Sequence, residues 1–168
     1  MTTVKDIYDF LCGVAPLELQ MGFDNSGFLV GRSDKAVKRV LLSLDVTADV
    51  IDEAIDMEAG LIISHHPVIF SAIKRLTDGK LLRLIENSVA VISMHTNLDI
   101  AADGVNDVLL KLLGAVGDEA LDADGCGRIG ELPAAVDFDE FLRSCKSLLN
   151  SKGLRYYCAG KQGKKLAV

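Results

Sequence analysis

The chain has 168 residues, 49% of them apolar and 25% charged, with a net charge of −6, which is enough for one core or two small lobes at ~150 residues per domain. The acidic balance argues against duplex nucleic-acid binding, which needs clustered Lys and Arg to neutralise phosphates, and no apolar run approaches the ~20 residues that cross a bilayer. The amino terminus, Met1-Thr2-Thr3-Val4-Lys5-Asp6, lacks the basic-then-apolar layout of a signal peptide, so a cytoplasmic protein without a membrane partner is expected.

The first element reads as a helix. Thr3 caps it with Asp6 at the favourable third position, and Val4, Ile7, Tyr8 and Leu11 recur on one face until Pro16 closes the segment. Asp24-Asn25-Ser26-Gly27 is turn chemistry, and Gly27 with Gly31 brackets the short apolar run Phe28-Leu29-Val30. A plain β-turn and a functional loop fit that segment equally. Residues 40–44 read as a strand ending on Asp45. Thr47 then caps a helix running through Met57, with Val50, Ile51, Ala54 and Ile55 inward.

Gly60 stops this helix, and the apolar run 61–64 follows as a buried strand. Residues 68–75 have no strong period and read as a connector, with a flap presenting Lys74 and Arg75 as the alternative. Thr77 or Asp78 opens a further helix carrying Leu81, Leu82, Leu84 and Ile85, and the run 89–94 is the next strand. Strand, helix and strand with such short joins make βαβ units. The expected class is α/β, three-layer sandwich-like, with a mostly parallel sheet flanked by helices.

Asp103-Gly104-Val105-Asn106-Asp107 begins another helix through Leu113, placing Val105, Leu109 and Leu112 toward the sheet. Residues 114–130, rich in Gly, Asp and Ala, read as a loop or lobe boundary. Phe138, Phe141, Leu142, Cys145, Leu148 and Leu149 then give an amphipathic helix stopped by Gly153, and 154–158 and 166–168 read as strands. The expected division is a lobe over 1–125 and the start of a second over 126–168. Cys12, Cys126, Cys145 and Cys158 are far apart and form no Cys-x-x-Cys pair, so they read as structural thiols.

All three histidines fall just after two of these strands, in Ser64-His65-His66-Pro67 and in His95-Thr96-Asn97-Leu98-Asp99. Open α/β sheets bind ligands in the crevice beyond the carboxyl ends of their strands. Three strand ends would offer Asp45, His65 with His66, and His95 with Asp99 to one crevice. Imidazole with carboxylate suits zinc, iron or manganese. Adjacent histidines in an extended segment point to opposite sides, so they would serve two neighbouring ions better than one, with Asp99 as a bridge. Taken singly, each histidine also fits a core position; their joint placement leaves the ligand and core readings balanced.

The motifs resemble a known family. Ser64-His65-His66-Pro67, His95 to Asp99 with Gly104-Val105-Asn106-Asp107 behind it, and Asp24-Asn25-Ser26-Gly27 with Val30-Gly31 are similar to those of the Nif-three-like dinuclear metal-centre family, often labelled GTP cyclohydrolase I type 2 homologues. Gly127-Arg128-Ile129-Gly130-Glu131-Leu132 resembles a fourth motif, so the likeness covers nearly the whole chain. It implies two divalent ions held by His65, His66 and Asp99, with Asp99 bridging, and self-association as a hexameric ring. One departure stands out: the family's C-terminal portion supplies a further His-x-x-x-Glu pair, and no histidine follows His95. The chain therefore reads as a shortened family member with three firm donors, Asp45 and His95 being extras or orienting residues.

The expected function is a metal-dependent hydrolase acting on a small molecule or nucleotide through a metal-activated water. The sequence has no Gly-x-x-x-x-Gly-Lys-Ser/Thr segment, so a nucleotide would not sit on a P-loop. The alternative is a non-catalytic metal-binding or regulatory scaffold, and a structural fragment without metal is a third reading.

Overall fold

The computed structural model describes residues 1–157 and 160–168. Two compact units divide the chain, Met1–Ala101 and Ala102–Val168. The division falls at 101/102, earlier than the 125/126 expected, because the segment after Ala101 builds the second unit's own core.

In the first unit, α1 (Val4–Val14) begins at a capping box in which Thr3 and Asp6 satisfy each other's backbone N–H groups. A short 3₁₀ turn, Leu17–Leu19, follows Pro16. Strands β1 (Gly27–Val30), β2 (Val40–Ser43), β3 (Leu61–Ser64) and β4 (Ala90–Ser93) form one sheet in the order β1-β4-β3-β2. β2, β3 and β4 are parallel, with Leu42, Ile63 and Ile92 in register, while β1 runs antiparallel to β4. The mostly parallel α/β sheet is therefore present as expected.

Alternation along the strands sends neighbours to opposite faces. Leu61, Ala90 and Ile92 pack with Val4, Ile7 and Leu11 of α1. Ile62 and Val91 pack with Ile51 and Ala54 of α2 (Ala48–Asp56) and Leu81 and Leu84 of α3 (Gly79–Glu86). Burying each such aliphatic side chain is worth ~1.5–3 kcal/mol. Thr47 and Asp78 cap α2 and α3, with Asp78 accepting from the N–H groups of Lys80 and Leu81. Gly31 has φ +109°, and a Cβ there would collide with Ala90, so only glycine lets the chain leave β1 so close to β4. A five-residue helix not expected from the sequence, α4 (Thr96–Ile100), follows β4.

The second unit contains α5 (Val105–Leu112), β5 (Val116–Ala120), β6 (Arg128–Asp137), α6 (Phe138–Leu148) and β7 (Gln162–Ala167). Its antiparallel sheet has the order β5-β6-β7. Leu110, Ala115 and Leu132 form its core, with Val136, Phe141, Leu166 and Val168 packed against them. The expected loop over 114–130 thus contains β5 and the start of β6, and only 121–127 between them remains a loop. The sequence Val-Gly-Asp-Glu-Ala of β5 is exposed at every position, so only its pairing with β6 reveals it.

The strand expected over 154–158 does not form at 154–157; Tyr156 packs edge-on against Phe138 with ring centroids 5.9 Å apart instead. Cys158 lies outside the described residues. Among the described residues no helix is long and apolar enough to cross a membrane.

Candidate metal centre

The parallel ladder carries on past the ends of the strands and delivers the site. His65 and His66 N–H groups donate to the carbonyls of Ser43 and Leu44 at 3.2 and 2.9 Å, and Met94 N–H donates to Ser64 at 2.9 Å. Ser64 and Ser93 face each other inside the sheet with hydroxyls 2.8 Å apart, and Ser64 Oγ donates to the His66 carbonyl at 2.9 Å. That bond curls the backbone at residues 65–66, so the strand's alternation no longer applies. The two adjacent imidazoles consequently stand on one side, with ring centroids 5.1 Å apart, rather than pointing away from each other as expected of an extended segment.

His95 completes a triangle, with ring centroids 5.1 Å from His65 and 5.5 Å from His66. One ring nitrogen from each of the three lies within 4.8 Å of the others. Asp99 follows His95 by one helical turn, its N–H donating to the His95 carbonyl at 3.1 Å, and residues four apart share a helix face. Asp99 Oδ1 sits 3.6 Å from His65 Nε2, too far for a hydrogen bond. The structure therefore groups His65 and His66 with His95, and places Asp99 beside His65.

Each imidazole turns its Nδ1 to an oxygen that accepts: His65 to the Met94 carbonyl at 3.0 Å, His66 to Asp45 Oδ1 at 2.7 Å, and His95 to Asp24 Oδ1 at 2.8 Å. A neutral imidazole so placed carries its hydrogen on Nδ1 and keeps a lone pair on Nε2. Metal-ligating histidines show this pattern, donating the other ring N–H to a carboxylate or carbonyl. Asp45 thus reaches the site as an orienting partner of His66.

Asp24 is the residue that the turn-like sequence concealed. Its side chain has 0% exposure, and five donors reach its two oxygens: Asn25 N–H, His95 Nδ1–H, Ser26 Oγ–H, Thr96 N–H and Thr96 Oγ–H. Burial is the largest single influence on its acidity and pushes the pKa up. The bonds from Thr96, His95 and Asn25 together outweigh it and hold the carboxyl well below the usual carboxylate range. Around it, Met21 N–H donates to Thr96 Oγ1, His95 N–H to Ser26 Oγ, and Asn25 Nδ2 to the Ile69 carbonyl. The segment 20–26 is therefore part of the site's wall.

The segment 68–75 reaches the site's surroundings through Ile69 and the Phe23–Phe70 ring pair at 6.5 Å, while Lys74 and Arg75 are exposed. A cavity of about 210 Å³ opens beside His65, lined by Leu11, Val14, Ile63, Met94 and Leu98 among others.

The donor set fits a divalent transition ion. Three imidazole nitrogens meet the three protein ligands a catalytic zinc takes, and imidazole mixed with carboxylate suits zinc, iron or manganese over magnesium or calcium.

The chain matches the family described as Duf34/NIF3 (NGG1p interacting factor 3) over residues 2–168. A GTP cyclohydrolase 1 type 2 homolog of Clostridium acetobutylicum is 35% identical, over 97% of this chain and 65% of that protein. The protein of the same name from Clostridium perfringens is 37% identical, over 91% and 63%. The chain thus spans less than two thirds of the length of either. Among solved structures, Staphylococcus aureus protein SA1388 superposes with a TM-score of 0.87 at 27% identity, covering 98% of this chain and 70% of that one. Reduced HcgD from Methanocaldococcus jannaschii gives 0.79 at 34% identity, covering 87% and 60%.

Proposed function

The chain belongs to the Duf34/NIF3 family, and from that premise we propose that it binds two divalent transition-metal ions and hydrolyses a small electrophilic substrate. The observation that carries this reading is the shared orientation of the three imidazoles, each with Nδ1 satisfied and Nε2 left over. His65, His66 and His95 would supply nitrogen donors, and Asp99 the bridging carboxylate. A bound ion pair supplies Lewis acidity and an activated water for attack on carbon or phosphorus.

The chain's own residues do the remaining work. Ser64 and Ser93 hold the His65-His66 curl, Asp24 and Asp45 fix two of the rings, and Leu11, Val14 and Leu98 give the cavity beside His65 an apolar wall. The name carried by the clostridial relatives points to a nucleotide as the first substrate class to try. Self-association as a ring belongs to the same proposal. Leu42 on edge strand β2 is 73% exposed and Leu44 just beyond it 60%, and such apolar side chains favour a covering surface.

The test is turnover of a panel of nucleotides and phosphoesters by protein loaded separately with zinc, iron and manganese. The reading expects hydrolysis of at least one compound that disappears in His66→Ala. Metal bound without turnover of any compound would leave a metal-binding scaffold in place of the hydrolase.

A further inference from the structure

The three imidazoles are not held alike. His65 leans on a backbone carbonyl, and His66 on Asp45, whose side chain is 56% exposed and open to competing water. His95 alone is held by a carboxylate sealed from solvent. Two of the donors to that carboxylate are backbone N–H groups on opposite oxygens, Asn25 on Oδ1 at 2.7 Å and Thr96 on Oδ2 at 3.0 Å. They fix the plane of the carboxylate through the turn at 24–26 on one side and the start of α4 on the other. The remaining direction of Oδ1 faces His95 Nδ1.

We infer that Asp24 is the positioning residue of this centre: it locks His95 in the Nδ1–H tautomer, leaving Nε2 as the nitrogen available to an ion, before any ion arrives. An ionised carboxylate only accepts hydrogen bonds, so the imidazole beside it must donate. No rotation of Asp24 can relax this demand, since turning the carboxylate would strip a buried backbone N–H of its acceptor, and an unpaired buried amide is costly. The inference rests on the metal-binding reading for its consequence, because the tautomer itself is a property of the metal-free chain.

The test starts with metal-free, ¹⁵N-labelled protein and long-range ¹H–¹⁵N correlation of the imidazoles at about pH 8.5, well above the ordinary histidine range near 6.5. His95 should show one tautomer, protonated at Nδ1. Asp24→Asn replaces one acceptor oxygen by a donor. With its NH₂ turned toward His95 it forces the hydrogen onto Nε2, and the zinc dissociation constant measured against a competing chelator should rise ~10- to 100-fold. Asp45→Asn should leave the His95 signals unchanged and raise the constant less.

A wild-type His95 that is protonated at Nε2, or that averages between tautomers, would overturn the inference whatever the variants do. So would a folded Asp24→Asn protein that keeps both the Nδ1–H tautomer and the affinity. If Asp24→Asn does not fold, the wild-type spectrum alone decides. If the wild-type chain binds no metal, the proposed function fails, while the tautomer still decides the role of Asp24.

Discussion

The parallel sheet of the first unit buries Leu61, Ile62, Val91 and Ile92 completely between α1 on one face and α2 and α3 on the other. The second unit's antiparallel sheet rests on Leu110, Ala115 and Leu132, and beside them on a buried polar device: Arg128 pairs with Asp107 and donates to the carbonyls of Gly125 and Gly127. The difference teaches where this chain can place chemistry. A sheet held by apolar packing in its middle can spend its carboxyl ends on histidines and carboxylates. A unit held partly by an ion pair already uses its buried charges for its own folding.

The largest effect should come from breaking that device. Arg128→Met takes the cation from Asp107, whose side chain is 14% exposed and keeps the Asp103 N–H on its other oxygen, and removing one partner of a buried pair costs up to about 3–5 kcal/mol; chemical denaturation followed by circular dichroism should show it, and a loss under 1 kcal/mol would mean that the apolar cluster alone holds the second unit. Next is Ile62→Ala, a cavity in the middle of the parallel sheet, expected to cost about 2–5 kcal/mol in the same assay. The Thr3→Ala change removes the capping box of α1 and should cost about 1 kcal/mol. Without any substitution, hydrogen exchange should find the amides of β3 and β4 slowest and those of exposed β5 among the fastest. Equal protection in β4 and β5 would erase the contrast.

The same contrast explains what the sequence disclosed. β2, β3 and β4 announce themselves as β-branched apolar runs, and Thr3, Thr47 and Asp78 as caps, because local chemistry decides them. β5 has no apolar alternation, and the Leu-Arg-Tyr-Tyr run at 154–157 has apolar residues yet pairs with no strand among the described residues; in both cases the long-range ladder decides. At the site, the strand ends pointed to one crevice for His65, His66, His95 and Asp99, and the structure sets the three imidazoles in a triangle with Asp99 beside His65. Asp24 was not legible. An Asp-Asn-Ser-Gly turn looks the same whether its carboxylate faces water or closes over Thr96 and His95, 71 residues away from the latter.

The proposed metal centre joins these three imidazoles with Asp99. Elemental analysis of the purified, tag-free chain, set beside His65→Ala, tests it most directly. Close to two divalent ions per chain are expected in the wild type, and their loss in the variant. A wild-type chain that stays metal-free after exposure to zinc, iron and manganese would contradict it.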